Sequence, residues 1–235
     1  MITLLMATRN AHKVEEIRAI LSDKFRYLTL NDFPGAPEVI EDAGTFTANA
    51  TKKAVALAHW LACSPVTNHL SPMTHPAFAL ADDSGLEVDA LHGAPGVHSA
   101  RFASLDTGNP GNSPYADNNA KLLRLLEKVP VERRTARFRC VLALTPADAT
   151  ENPSASPVCY ADELEVQTER FEGACEGRIA FAPRGNNGFG YDPLFIPEGY
   201  SQTFAELGDE IKNQISHRAR ALTRLRLRLK TGHLS

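Results

Sequence analysis

The sequence predicts an α/β fold, built of layered strands and helices with an antiparallel extension, and three observations point to it. The first half of the chain alternates short apolar runs with segments of helical spacing, which is typical of successive β and α elements. Farther along, 135–145 and 158–171 both read as long strands and predict a β-hairpin with a long tip. The chain has 235 residues, 43% hydrophobic and 23% charged, which is a globular composition. We therefore expect a single domain over 1–235, with surface insertions at 63–76 and 146–157.

The chain opens on a strand, because residues 1–7 form a continuous apolar run of strand length. A polar turn follows, and Val14, Ile17 and Leu21 then recur at helical spacing behind Asn10, a favoured N-cap residue. The remaining predicted elements are, in chain order, a strand at 25–30, an alanine-rich helix at 45–61, a short strand at 78–81, a helix with Ser113 as its N-cap and Pro114 at its first position, and a final helix at 210–230.

Charge, hydropathy and cysteine content exclude several protein classes. The 25 basic and 28 acidic residues give a formal net charge of −3, which does not suit non-specific binding of nucleic acid. No apolar run reaches the roughly 18–20 residues of a membrane span. The four cysteines form no C-x-x-C pair, so we expect reduced thiols in a cytoplasmic protein with no membrane and no nucleic-acid partner. The basic side of the final helix reads as a solvated face, with binding of nucleic acid or acidic lipid as the alternative.

The turn after the first strand predicts a site for an anion. A polar turn that leads into a helix N-terminus aims backbone N–H groups and the helix dipole at a ligand, and Lys13 adds a positive charge. The turn lacks the Walker phosphate-binding pattern, and an ordinary connection is the alternative interpretation. The candidate substrate-binding residues here are Thr8, Arg9, Asn10, Ala11, His12 and Lys13.

Asp82 and Asp83 predict a site for a divalent cation. Two adjacent carboxylates repel each other, and this cost makes sense where a hard cation lies between a carboxylate and substrate phosphates. Mg²⁺ binds one or two carboxylates and completes its shell with water and phosphate oxygens. Glu41, in an acidic loop before the second helix, is a further candidate ligand. The alternative is an exposed acidic turn that caps a helix.

Two later segments predict contacts to a ligand, one through aromatic rings and the other through charged and polar side chains. Glycines flank Phe189 and Tyr191, so the backbone can approach a ligand closely while the rings stack on a base. The alternative is a turn whose aromatics fill the core. Lys212 lies about one and a half helical turns before His217 and Arg218 in the predicted final helix, so these side chains converge on one ligand if that end faces a cleft.

Five motifs in the same order give the chain a resemblance to the inosine/xanthosine triphosphate pyrophosphatase family. They are ATRNAHKVEEI, TFTANATKKA, ADDSGLEVDALHGAPGVHSARFA, FGYDPLFIPEGYSQTFAEL and KNQISHRARAL. The sequence departs from the family pattern at Arg9, where the family often has glycine, and at Ala48, where it often has Glu. The acidic loop at 40–44 also differs from the usual arrangement.

The resemblance implies a fold of two lobes on a long, twisted, mixed β-sheet flanked by helices, with the active site in the cleft between the lobes. It implies Mg²⁺-dependent hydrolysis of non-canonical purine nucleoside triphosphates to the monophosphate and pyrophosphate, in a homodimer. Asp83 would bind the metal and accept a proton. The substrate-binding residues that it implies, besides the turn at 8–13, are Ser84, Phe189, Gly190, Tyr191, Asp192, Lys212, His217 and Arg218. Beyond the resemblance, we expect Glu41 to be a second metal ligand and Lys53 to add positive charge at the substrate.

Base selection has a physical explanation in this scheme. Hypoxanthine and xanthine carry an acceptor oxygen where adenine carries an amine, and His217 and Arg218 present N–H donors. A polar pocket of this kind rejects the wrong group by roughly 10⁴-fold or more. Two alternatives stay open: a related pyrophosphatase for other modified nucleotides, and a non-catalytic nucleotide-binding module.

Overall fold

The computed structural model describes residues 2–22, 24–63, 77–108, 111–147 and 157–231. The strands are β1 (Ile2–Met6), β2 (Phe25–Thr29), β3 (Ala77–Val88), β4 (Thr135–Pro146), β5 (Glu169–Ile179) and β6 (Phe195–Pro197). The helices are α1 (Ala11–Leu21), α2 (Phe46–Cys63), α3 (Tyr115–Leu125), α4 (Pro157–Gln167), α5 (Phe204–Ile215) and α6 (His217–Thr231). The predicted insertions at 63–76 and 146–157 lie almost entirely outside the described residues.

The strands form one six-stranded sheet in the order β2-β1-β3-β4-β5-β6. β1 pairs in parallel with both β2 and β3, whereas β5 and β6 are antiparallel. The sheet is therefore mixed, and with helices interspersed along the chain it confirms the predicted α/β class. Within the described ranges, no helix is both long and apolar enough to cross a membrane.

The chain divides into two compact units. The first contains Met1–Asp83, Val141–Phe171 and Arg224–Ser235, and the second contains Ser84–Cys140 and Glu172–Thr223. The core of the second unit is rich in aromatic side chains, including Phe102, Phe138, Tyr191, Phe195 and Phe204. In the first unit, the short apolar run of β1 is buried as predicted. A single domain over 1–235, with its site in a cleft, stays a prediction.

The prediction of a strand at 158–171 was wrong. Residues Pro157–Gln167 form α4, and only the end of the predicted stretch belongs to β5. Glu163, Leu164, Glu165 and Gln167 are good helix formers, and the Thr168 hydroxyl donates to the Leu164 carbonyl at the end of the helix. β4 and β5 are neighbours in the sheet, but a helix lies within their connection.

Three element boundaries also need correction. β3 does not end at residue 81 but continues as a twelve-residue strand through both aspartates. The predicted helix at 210–230 is two helices, because Ser216 has an extended ψ of 162° that ends α5 before α6 starts. Pro114, not Ser113, is the cap residue of α3, since the Ser113 hydroxyl accepts a hydrogen bond from the Ser104 backbone N–H at 2.9 Å.

Candidate active site

The first part of the site is the turn between β1 and α1, and its predicted cap is confirmed. The Asn10 side chain accepts from the backbone N–H groups of His12 at 3.0 Å and Lys13 at 3.3 Å. The Thr8 hydroxyl in turn accepts from the Asn10 N–H at 3.1 Å. These hydrogen bonds fix the turn. They also occupy the N–H groups of His12 and Lys13, two of the groups that were predicted to bind an anion. Arg9, Ala11 and His12 are exposed.

Two lysines and three carboxylates form what we call the lysine–carboxylate cluster, made of Lys13, Glu41, Lys53, Asp82 and Asp83. The Lys13 ammonium binds the Asp82 carboxylate, whose side chain is 1% exposed. Lys53 Nζ lies 3.0 Å from a carboxylate oxygen of both Glu41 and Asp83, and it also donates to the Asp82 carbonyl at 2.8 Å. Each aspartate of the pair is thus bound to its own lysine.

This pairing explains why β3 runs through two aspartates. Asp82 and Asp83 are 3% and 5% exposed, so the alternative of an exposed acidic turn was wrong. Buried carboxylates persist in proteins when they are paired, and Lys13 and Lys53 provide that pairing. Lys53, predicted from sequence as a substrate contact, is also the charge partner of Asp83 in this structure.

The two oxygens of Asp83 have different surroundings. Oδ1 accepts from Lys53, whereas Oδ2 is buried and has no hydrogen-bond partner among the residues that the structure describes. Burial raises the pKa of Asp83 above its ordinary value, although Lys53 and Lys13 oppose this and Glu41 adds to it. Burial acts to lower the pKa of Lys53, but the Asp83 and Glu41 carboxylates outweigh it and raise that pKa. Asp83 thus has one carboxylate oxygen bound to Lys53 and a second that is buried and makes no hydrogen bond within the described residues.

A second group of residues, the aromatic–cation cluster, lies in the second unit and comprises Ser84, Phe189, Asp192, Lys212 and Arg218. Lys212 Nζ lies 2.5 Å from Asp192 Oδ2, and both side chains are 2% exposed. The same Asp192 oxygen accepts from the Phe189 backbone N–H at 2.8 Å. Asp192 therefore fixes the loop that carries Phe189.

The Phe189 ring is the half-buried centre of this cluster. Lys212 Nζ lies 4.5 Å from the ring centroid and the Arg218 guanidinium lies 5.9 Å from it, which is the range of cation–π contacts. Arg218 also donates to the Ser84 hydroxyl at 2.9 Å. Phe189, Ser84, Lys212 and Arg218, selected from separate motifs, are thus brought together.

Two other predicted contact residues are buried in the core of the same unit. The Tyr191 hydroxyl donates to the Ser99 carbonyl at 2.9 Å, and burial raises the pKa of Tyr191. The His217 ring stacks on Phe138 with centroids 4.8 Å apart and ring planes within 12°. For Tyr191, the structure favours the core-filling alternative for the ring. Substrate contacts by Tyr191 and His217 stay predictions.

Sequence reasoning missed two residues of α3 that touch the Phe189 loop. The Asn119 side-chain NH₂ donates to the Gly190 carbonyl at 3.0 Å, and the Tyr115 ring lies 6.2 Å from the Phe189 ring. Both lie in the predicted helix after Pro114, of which only the leucines were interpreted. Their spacing of four residues, which places them on one helix face, was the available signal.

The fold and these motifs define the class: the chain belongs to the Ham1 family, whose model matches residues 4–227. Two relatives are dITP/XTP pyrophosphatases, from Desulforamulus reducens, 47% identical over 220 residues, and from Shouchella clausii, 43% identical over 223 residues. The alignments cover 93% and 95% of this chain and 91% and 94% of the relatives. The family resemblance inferred from the motifs is confirmed.

Solved structures agree with this assignment. A HAM1 protein from Coxiella burnetii is 35% identical with a TM-score of 0.73, covering 99% of this chain and 100% of that one. The Ham1 protein of Staphylococcus aureus is 31% identical with a TM-score of 0.70, covering 97% and 98%. The likeness extends along essentially the whole of each chain, so the family fold applies to the chain as a whole.

Proposed function

We propose that this protein hydrolyses non-canonical purine nucleoside triphosphates, such as dITP, ITP and XTP, to the monophosphate and pyrophosphate. The observation that carries the proposal is Asp83, a buried carboxylate bound to Lys53 through one oxygen and uncommitted at the other. The relatives named dITP/XTP pyrophosphatase support the substrate class. A protein that only bound phosphates would have no use for a buried carboxylate oxygen that makes no hydrogen bond within the described residues, such as Asp83 Oδ2.

The reaction needs a base for the attacking water and positive charge for the phosphates. Asp83 accepts the proton as the water oxygen bonds to the α-phosphorus, the bridging P–O bond breaks, and pyrophosphate leaves. A carboxylate whose pKa is raised by burial is a stronger base than an ordinary aspartate. Lys13 and Lys53 supply positive charge, and the turn at 8–13 positions the phosphates.

The donor set suits Mg²⁺. Across the described ranges, no three His, Cys, Asp or Glu side chains are grouped as a metal site, but Mg²⁺ needs only one or two carboxylates beside water and phosphate oxygens. Asp83 Oδ2 offers a buried carboxylate oxygen, and Glu41 is joined to Asp83 through Lys53. These two residues would hold the ion, which when bound supplies positive charge to the phosphate oxygens.

The aromatic–cation cluster provides a recognition site for the base. Phe189 offers a ring face, and Arg218 and His217 carry N–H donors suited to the 6-oxo group of hypoxanthine or xanthine. An adenine amine in that position would leave a donor unpaired, which costs free energy. Guanine shares the 6-oxo group, so its rejection requires a pocket with no acceptor or no room for the 2-amine.

We further propose that the protein acts in the cytoplasm as a homodimer and clears deaminated purines from the nucleotide pool. Product analysis with ITP, dITP, XTP, GTP, ATP and dTTP, each with magnesium and with chelator, tests the activity. We expect magnesium-dependent pyrophosphate release from the first three alone. Orthophosphate as product would refute the cleavage position. Turnover of dTTP alone would favour a pyrimidine-directed enzyme, and no turnover at all would favour a binding module.

A further inference from the structure

We infer that Asn119 and Tyr115, on one face of α3, are positioning residues that hold the Phe189–Gly190 loop in the geometry needed for base recognition. The inference rests on the proposed function and extends it to two residues that no motif selected. Asn119 acts through a hydrogen bond to the loop backbone, and Tyr115 acts through ring contact. Neither is proposed to take part in the chemistry.

The Asn119 contact falls at a conformationally special point of the loop. Its NH₂ group donates to the carbonyl of Gly190, whose φ is +62°, and the preceding Gly188 has a φ of +73°. Phe189 lies between these two left-handed glycines, so its orientation depends on what holds their carbonyls and N–H groups. Asp192 holds the loop from one side through the Phe189 N–H. Asn119 holds it through the next carbonyl.

Asn119 differs from its neighbour Asn118 in a way that indicates a role beyond packing. Asn118 is 2% exposed and bonds through both ends of its amide, to the Ala103 N–H at 2.8 Å and the Ala100 carbonyl at 3.2 Å. Asn119 is 8% exposed, and in the described part of the chain its Oδ1 has no hydrogen-bond partner. A buried amide that satisfies only its donor is costly. Within the part of the chain that the structure describes, the bond to Gly190 is the one side-chain hydrogen bond of Asn119, so its amide serves the loop.

The helix itself is firmly anchored. Arg134, which is 2% exposed, donates from its guanidinium to the carbonyls of Leu126 at 2.6 Å and Val129 at 2.9 Å, just past the C-terminal end of α3, and to the Ala180 carbonyl at 3.1 Å. α3 can therefore act as a fixed support. Tyr115, one turn before Asn119, meets the Phe189 ring at 6.2 Å with planes tilted by 44°. The Phe189 ring is thus contacted by two cations and by the Tyr115 ring of α3.

The test compares steady-state kinetics on dITP for Asn119→Asp and the matched control Asn118→Asp. Asn119→Asp is isosteric but places a carboxylate oxygen against the Gly190 carbonyl. We expect its KM for dITP to rise about ten-fold with kcat within about two-fold, because the lost contact serves binding of the base rather than the chemical step. The preference for dITP over dATP should fall with it. Asn118→Asp should lower the melting temperature without moving KM.

A second variant keeps the inference testable if Asn119→Asp does not fold. Tyr115 is 44% exposed, so Tyr115→Ala should fold, and Leu125→Ala is its control at the same exposure on the same helix. We expect KM to rise about three-fold for Tyr115→Ala and to stay unchanged for Leu125→Ala. Unchanged KM and base preference in both α3 variants, with the unaltered protein turning over dITP, would overturn this inference alone. No turnover by the unaltered protein would overturn the proposed function as well.

Discussion

The buried ion pair between Lys212 and Asp192 provides a quantitative test of the second unit. In Lys212→Met the carboxylate of Asp192 stays buried at 2% exposure and loses the ammonium 2.5 Å away. Removal of one partner of a fully buried pair costs about 3–5 kcal/mol. The full value applies here because solvent reaches neither group and so does not weaken their attraction. The Phe189 N–H still donates to Asp192 and offsets a small part of the loss. We therefore predict that the free energy of unfolding falls by about 3 kcal/mol.

Urea denaturation followed by circular dichroism measures this loss, and a double-mutant cycle isolates the pair. Lys212→Met combined with Asp192→Asn removes both charges, so the double variant should be more stable than Lys212→Met alone. The double variant should also have weaker dITP binding, because the loop at 188–192 loses its anchor. A loss below about 1 kcal/mol for Lys212→Met would refute the reasoning, since an exposed ion pair contributes no more than that.

Three further predictions concern the supports of the site. Gly188→Ala should destabilise the protein by about 1–3 kcal/mol and weaken dITP binding, because the φ of Gly188 is +73° and an added Cβ would lie 2.2 Å from Asp192 Oδ2. Thermal unfolding measures the loss, and Gly44→Ala is the control because no atom lies within 4 Å of a Cβ added there. Arg134→Met should lower the free energy of unfolding, measured by urea denaturation, by about 3 kcal/mol, because three carbonyls lose a charged donor. Arg133→Met, at an exposed position, should leave it almost unchanged. Burial raises the pKa of Cys175 from 9.0 to about 11. Because the unfolded chain loses that proton first, the free energy of unfolding should fall by about 2 kcal/mol as the pH rises from 9 to 11, and Cys175→Ala should flatten this slope.

The sequence predicted most elements because their local signals agreed with their surroundings. The apolar run of β1, the Asn10 cap and the alanine-rich α2 each depend on neighbouring residues only, and all three are confirmed. The site residues were selected by motif, and the structure brings Lys53 to Asp83 and Arg218 to Phe189.

Some errors arose where tertiary contacts decide the outcome, and others where a local signal was overlooked. Asp82 and Asp83 looked like the end of a strand, because the two lysines that neutralise them lie 69 and 30 residues away in the chain. The break between α5 and α6 was instead a local signal that was overlooked, since the Ser216 hydroxyl caps the second helix by accepting from the Ala219 N–H at 3.1 Å. Asn119 was missed because its partner, the Gly190 carbonyl, belongs to the backbone, so that only its spacing from Tyr115 pointed to it.

Turnover of dITP by Asp83→Asn, compared with the unaltered protein, tests the central claim most directly. The substitution keeps the shape of the side chain but removes its ability to accept a proton. We predict that kcat falls by at least about 10²-fold, the contribution of a general base, while the cooperative thermal unfolding transition of the variant is retained. Asn118→Asp, remote from the lysine–carboxylate cluster in sequence and contacts, should retain its kcat. Turnover by Asp83→Asn within ten-fold of the unaltered protein would contradict the role of Asp83.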